Sequence, residues 1–391
     1  MQPWSEVLRA SLQLGLTSFG GPIAHLGYFE RTYVRERQWL SPEQYGQLVA
    51  LCQILPGPTS SQVGFLVGLH RGGWRGALAA WLGFTFPSAL LLYACARLAT
   101  RLQGPLAAAL VHGLKLAAVA VVAQATLRMA RRLCTDSTTG LIAAAAALLL
   151  LAVGGAATQL LALAGAACAG WLFCRTAASA PAPSAGPASR RAAWSALALF
   201  GLLLCALPVL SWRLPHSDFA LAQVFYRAGA LVFGGGHVVL PLLRARLVPG
   251  GWLSDDAFLT GYGLAQAVPG PLFTVAAYLG ALATADAPAA GALIAVVCIF
   301  LPGLLLAVAG QSLWSQLSGH AGVGAALAGI NAAVVGILAA ALYDPVWTSA
   351  VRNGADVVVA AVALLLLERL RASPLLVVVL CSACTLLRAL L

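Results

Sequence analysis

Hydrophobic residues fill this chain in long runs, and polar residues stand in the short gaps between them. Runs over about residues 44–69, 75–98, 104–130, 138–153, 156–174 and 193–211 approach the ~20 residues a helix needs to cross a bilayer, the fourth and fifth being short or tightly joined. An earlier run, Val7 to Leu16, meets Phe19-Gly20-Gly21-Pro22-Ile23-Ala24-His25, and a charged gap with Glu30, Arg31, Arg35, Glu36 and Arg37 follows. Ser41 then stands where it caps the next helix. That helix is interrupted by Leu55-Pro56-Gly57-Pro58-Thr59-Ser60-Ser61. Proline removes a backbone donor and glycine loosens the chain, so the pattern predicts a helix broken inside the membrane, with N–H and C=O groups that need partners.

The same interruptions recur downstream. Phe233-Gly234-Gly235 lies 214 residues after Phe19-Gly20-Gly21, while Trp252-Leu253-Ser254 and Pro269-Gly270-Pro271 lie 213 after Trp39-Leu40-Ser41 and Pro56-Gly57-Pro58. Gln53 matches Gln266, Gly76-Ala77-Leu78 matches Gly291-Ala292-Leu293, Pro87 matches Pro302, and Gly113 matches Gly329. So small a drift in offset over a whole half points to an internal duplication. The expected domains are repeats at 1–175 and 212–391, joined by a flexible Ala-, Pro- and Ser-rich linker at 176–192 and a connecting transmembrane helix at 193–211. About six crossings per repeat plus the connector give about 13 membrane segments, and the odd connector inverts the second repeat. The fold class read here is an all-α polytopic membrane protein of two inverted-topology repeats with broken or re-entrant helices.

Composition removes several alternatives. With 61% of 391 residues hydrophobic and 9% charged, no soluble core would hide the apolar surface, so the lipid bilayer is the expected surrounding. The net charge is +11, but the basic residues lie in short loops without interleaved aromatics, which excludes nucleic acid as a partner. With the N-terminus inside, twelve arginines fall in inner loops against eight in outer ones, favouring a cytoplasmic N-terminus and a periplasmic C-terminus. Some of the excess charge is suited to drawing an anion into a vestibule. The nine cysteines are scattered in apolar runs, and the Cys381–Cys384 pair lacks the second pair or histidine of a metal site, so both read as helix packing. No phosphate loop, His cluster or nucleophile with its base is present, so the expectation is no enzyme, no cofactor and no metal. The first residues lack a basic region, so no cleavable signal is expected. The many small residues permit a homodimer.

A helix that restarts within the membrane aims unpaired N–H groups and the positive end of its dipole at whatever lies ahead, which makes an anion site. Pro58 and Pro271 suit the first position of such a helix, and Gly57 and Gly270 allow close backbone approach. Thr59, Ser60 and Ser61 add hydroxyls, whereas their counterparts are Leu272, Phe273 and Thr274, so the first repeat is expected to contribute more contacts. Gln53 and Gln266, about a turn before each break, are placed to orient the loop or reach the ligand. The glycine breaks, Gly20, Gly21 and Pro22 in one half and Gly234, Gly235 and Gly236 in the other, are followed by His25 and His237. Lys115 lies within an apolar run and matches Asn331; a lysine at that depth implies a cavity, a partner or a substrate. The bland alternatives are kinks, snorkelling and histidines bonded to freed carbonyls, with Glu43, Asp255 and Asp256 as capping residues.

Taken together, Phe19-Gly20-Gly21-Pro22 with His25, Trp39-Leu40-Ser41, Gln53 with Leu55-Pro56-Gly57-Pro58, and the matching Phe233-Gly234-Gly235-Gly236-His237, Gln266 and Pro269-Gly270-Pro271 resemble the chromate transporter family. The resemblance covers both halves. It implies a bacterial inner-membrane protein that exports chromate at the expense of the proton-motive force. Chromate is a tetrahedral dianion shaped like sulfate, suited to a cage of N–H groups and hydroxyls, and the resemblance leaves sulfate or another oxyanion open as substrate. A carrier or channel for another solute, such as an organic anion or a cation, is the alternative on the same scaffold.

Overall fold

The computed structural model describes residues 2–19, 21–99, 104–153, 155–174, 189–214, 217–233, 238–317 and 321–390. Gly20, Gly234, Gly235, Gly236, His237 and linker residues 176–188 lie outside them. Among the described residues every regular element is helical. The first half supplies α1 (Pro3–Thr17), α2 (Gly21–Phe29) running into a π turn at Glu30–Glu36, α3 (Pro42–Ile54), α4 (Thr59–Ala99), α5 (Pro105–Leu133), α6 (Ser137–Val153) and α7 (Gly155–Phe173). After α8 (Arg190–Arg213) come α9 (Asp218–Leu231), α10 (Val239–Leu247) and α11 (Asp255–Ala267). A 3-10 turn at Leu272–Thr274 then opens α12 (Val275–Ala283), and α13 (Pro288–Leu317), α14 (Ala321–Ala341), a second π turn at Leu342–Trp347, α15 (Gly354–Glu368) and α16 (Pro374–Leu390) complete the chain.

Five helical stretches are long and apolar enough to span a membrane: Thr59–Ala99, Ala108–Leu133, Arg190–Arg213, Pro288–Ser312 and Gly324–Ala350. The helices flanking the breaks are different. At nine residues, α2 and α10 each reach about 14 Å against the ~30 Å of a hydrocarbon core.

Helix starts follow local chemistry. Ser41 forms a full capping box with Gln44, its Oγ accepting from the Gln44 N–H at 3.2 Å while Gln44 Oε1 accepts from the Ser41 N–H at 3.0 Å. Ser254, its match, caps α11 through the Ala257 N–H. Ser189 caps α8 through the Ala192 N–H at 3.2 Å, which starts that helix at Arg190, three residues ahead of the expected span.

The 41-residue α4 is two limbs. Gly72 and Gly73 leave helical geometry, Gly73 at φ +59°, a conformation that glycine adopts without a Cβ penalty. Beyond that turn, a Cβ on Gly68 would lie 2.4 Å from the Gly76 carbonyl oxygen, so the limbs fold back with backbones in contact. The α12–α13 pair repeats this packing, since a Cβ on Gly280 would lie 2.3 Å from the Gly291 oxygen.

The chain forms two compact units. The first comprises Met1–Tyr93, Thr176–Val239 and Pro269–Val323, and the second Ala94–Arg175, Leu240–Val268 and Gly324–Leu391. Each therefore draws on both halves of the sequence. In the first, α8 and α9 pack around Leu207, Ala222 and Tyr226, and Tyr226 donates its hydroxyl to the Phe200 carbonyl at 3.0 Å. In the second, α5 meets α16 where a Cβ on Gly113 would lie 2.5 Å from Ser382 Cα. The matching Gly329 of α14 packs on α7, where its Cβ would lie 2.0 Å from the Ala166 oxygen. Ser382 lies 216 residues after Ala166, so each half lends the other the same contact.

Candidate functional site

Both Pro-Gly-Pro breaks belong to the first unit. Each spends its central N–H on the other half of the chain. Gly57 donates to the Val232 carbonyl at 2.7 Å, and Gly270 donates to the Ser18 carbonyl at 2.9 Å. Val232 and Ser18 end α9 and α1, where helical carbonyls lack an internal partner, so each break caps the helix that precedes the opposite glycine break. Gly57 and Gly270 have φ of +121° and +104°. Neither has room for a side chain: a Cβ on Gly57 would lie 2.8 Å from Gly303 Cα, and one on Gly270 would lie 2.8 Å from Ser88 Oγ.

With those donors engaged by protein, the groups left to meet a ligand come from the next turn. The Pro58 carbonyl accepts the Gln62 N–H at 2.9 Å, the first bond of α4, so the N–H groups of Thr59, Ser60 and Ser61 precede the helical ladder. Pro58 thus stands at the cap, one residue ahead of its expected place, and Pro271 does the same before the 3-10 turn. Gln62 is fully buried and staples the break, its Nε2 donating to the carbonyls of Pro56 and Gly303, both at 2.9 Å.

Around this turn lies a set of buried polar atoms that have no hydrogen-bond partner among the described residues: Ser18 Oγ, His25 Nε2, Ser61 Oγ, Gln62 Oε1 and Thr85 Oγ1. His25 is 1% exposed; its Nδ1 lies 3.3 Å from Ser60 Oγ, its ring meets Phe84 edge-on at 5.3 Å, and the Ser18 carbonyl lies beside it. Among the described residues no carboxylate bonds to this cluster. Buried polar groups are normally satisfied, and leaving one unpaired costs about 1–3 kcal/mol. A concentration of them at a helix start, without an acid, suits an anionic ligand.

The second half has no such cluster. The counterparts of Ser18, Thr59, Ser60, Gln62 and Thr85 are Val232, Leu272, Phe273, Val275 and Phe300, and the Thr274 hydroxyl donates to the Pro271 carbonyl at 2.7 Å. Phe273 and Phe300 pack with ring centroids 5.7 Å apart. The backbone is duplicated here, but the polar chemistry is one-sided.

Of the other residues singled out by sequence, Gly21 opens α2 at φ +79°, and Pro22, Pro56 and Pro269 are half-buried beside the breaks. Gln53 is exposed on α3. Gln266, Lys115 and Asn331 belong to the second unit. There Lys115, 2% exposed, bonds through its ammonium to Asp256 in the first turn of α11, while Asp255 takes Arg244 in a two-pronged pair at 2.7 and 2.9 Å. Asn331 is half-buried on α14. Sequence reasoning passed over Ser18, Gln62 and Thr85, small polar residues within apolar runs. The available signal was their lack of a charged or turn-forming reason to be there.

Comparison with known proteins agrees with this arrangement. The chromate transporter family model matches residues 5–171 and again 219–386. The chromate transport protein of Pseudomonas aeruginosa is 27% identical over 313 residues, covering 76% of this chain and 70% of that one. The probable chromate transport protein of Synechococcus elongatus is 30% identical over 300 residues, covering 76% and 73%. The chromate transport protein of Cupriavidus metallidurans is 28% identical over 305 residues, covering 76% and 71%. No solved structure gives a significant match.

Proposed function

This chain belongs to the chromate transporter family, and on that premise we propose that it is a secondary transporter exporting chromate from the bacterial cytoplasm across the inner membrane, driven by the proton-motive force. The anion sits at the start of α4, held by the N–H groups and hydroxyls of Thr59, Ser60 and Ser61, with His25 Nε2 and the Ser18 hydroxyl completing the cage. Gly57 and Gly270 shape the site without donating to the ligand, and sulfate, with the same tetrahedral form and charge, competes for it. The two repeats are inverted with about 13 membrane segments, the N-terminus cytoplasmic and the C-terminus periplasmic, as broken helices meeting near the midplane require.

The observation that carries this reading is the group of unpartnered buried polar atoms at the first break. The short α2 and α3 on its approach support a discontinuous helix. The test is uptake of labelled chromate into everted vesicles: Ser61→Ala and His25→Ala lower it at least tenfold with insertion unchanged, and wild-type uptake in both overturns the site.

A further inference from the structure

The second unit holds a buried acid–base cluster that the anion site does not use. Asp356, fully buried in the first turn of α15, accepts from Arg388 of α16 on Oδ1 at 2.9 Å, from His112 Nε2 of α5 on the same oxygen at 3.1 Å, and from the Arg352 N–H on Oδ2 at 3.0 Å. The Arg388 guanidinium and the amino end of α15 already balance the carboxylate. His112 therefore stands as a neutral ring donating from Nε2, which leaves Nδ1 as a bare lone pair. That atom is buried and has no partner among the described residues.

The space around it is closed. At the neighbouring Gly113 a Cβ would lie 2.5 Å from Ser382 Cα and 2.6 Å from Thr385 Oγ1, so α5 and α16 touch along their backbones. A proton is the ligand that satisfies a buried nitrogen without parting these helices. We propose that His112, backed by Asp356, is a proton-binding site of this transporter, Nδ1 taking up a proton as the imidazole becomes imidazolium. The proposal rests on reading the chain as a gradient-driven chromate transporter. Only the Nδ1–H bond forms and breaks, the proton arriving from water on one side and leaving to the other.

The surroundings poise the site. Asp356 favours the charged ring, whereas Arg388, sharing Oδ1, opposes it, so a proton is neither refused nor trapped. The other charged or titratable groups on elements packed against α5 are Lys115 on α5 itself bound to Asp256 of α11, Arg352 before α15, and Tyr343 and Asp344 on the second π turn. Farther along α5, Arg128 and Arg131 are taken by Glu368 at the end of α15.

The test compares two activities of purified protein in proteoliposomes: exchange of labelled chromate without a gradient, and proton movement with chromate accumulation under an imposed pH gradient. His112→Gln keeps exchange within twofold of wild type but loses at least tenfold of both gradient-driven signals. Asp356→Asn does the same and Asp356→Glu restores part of them, a rescue that a purely structural staple would not give. Full gradient-driven accumulation and proton movement in His112→Gln overturn the proposal. A wild-type protein that exchanges no chromate overturns the oxyanion reading instead.

Discussion

The N–H of Gly57 donates to the carbonyl of Val232 at 2.7 Å, and 213 residues later Gly270 makes the corresponding bond to Ser18 at 2.9 Å. When the same bond runs from the first repeat to the second and back again, the two repeats are related by a two-fold exchange, as in a symmetric dimer written into one chain. The broken helices owe their order to that exchange. Each break is held by the other repeat, and the anion site is built on a scaffold that neither repeat completes alone.

Substitution at either glycine therefore harms both repeats. Gly57→Ala and Gly270→Ala each place a side chain at positive φ with under 3 Å to a neighbour, at a cost of about 1–3 kcal/mol or more. Chromate uptake into everted vesicles falls to background in both while the protein remains inserted, as read by carbonate extraction.

A hydroxyl without a protein partner contributes to the ligand and not to the fold. Ser61→Ala leaves the melting temperature unchanged or slightly raised but weakens chromate binding about tenfold, the value of a hydrogen bond to a charged group. Thr274→Ala, at the matched position whose hydroxyl is satisfied by the Pro271 carbonyl, leaves binding within twofold. Equilibrium binding of labelled chromate to detergent-solubilised protein separates the two.

The pair formed by Lys115 and Asp256 is lopsided, with side-chain exposures of 2% and 68%. Removing the carboxylate strands a buried ammonium, whereas removing the ammonium returns a carboxylate to water. Asp256→Asn thus destabilises the second unit by about 3 kcal/mol and Lys115→Met by under about 1 kcal/mol. Thermal unfolding of the two variants in detergent gives the order directly.

The all-helical membrane architecture was legible because hydrophobic runs and their length depend on bilayer thickness alone. The breaks were legible because Pro and Gly act locally, and Ser41 was recognisable as a cap from the Gln44 three residues on. What the sequence withheld were partners across the fold. Nothing near Gly57 announces Val232, and nothing near Lys115 announces Asp256, which reads as an ordinary acidic residue at a helix start. The compact units, each woven from both halves, follow from pairings over more than a hundred residues and not from the order of the repeats. Gln62 was hidden for a further reason: an amide in an apolar run looks like a membrane-helix polar residue until the carbonyls of Pro56 and Gly303 are seen at 2.9 Å.

The central claim is that the first break binds a tetrahedral dianion for transport. It is tested most directly by uptake of labelled chromate into everted inner-membrane vesicles carrying this protein, with and without a proton gradient and with sulfate as competitor. The account predicts accumulation that collapses when the gradient is dissipated and that sulfate inhibits, and Ser61→Ala lowers it at least tenfold. Absence of accumulation by correctly inserted protein, or accumulation indifferent to Ser61, contradicts it.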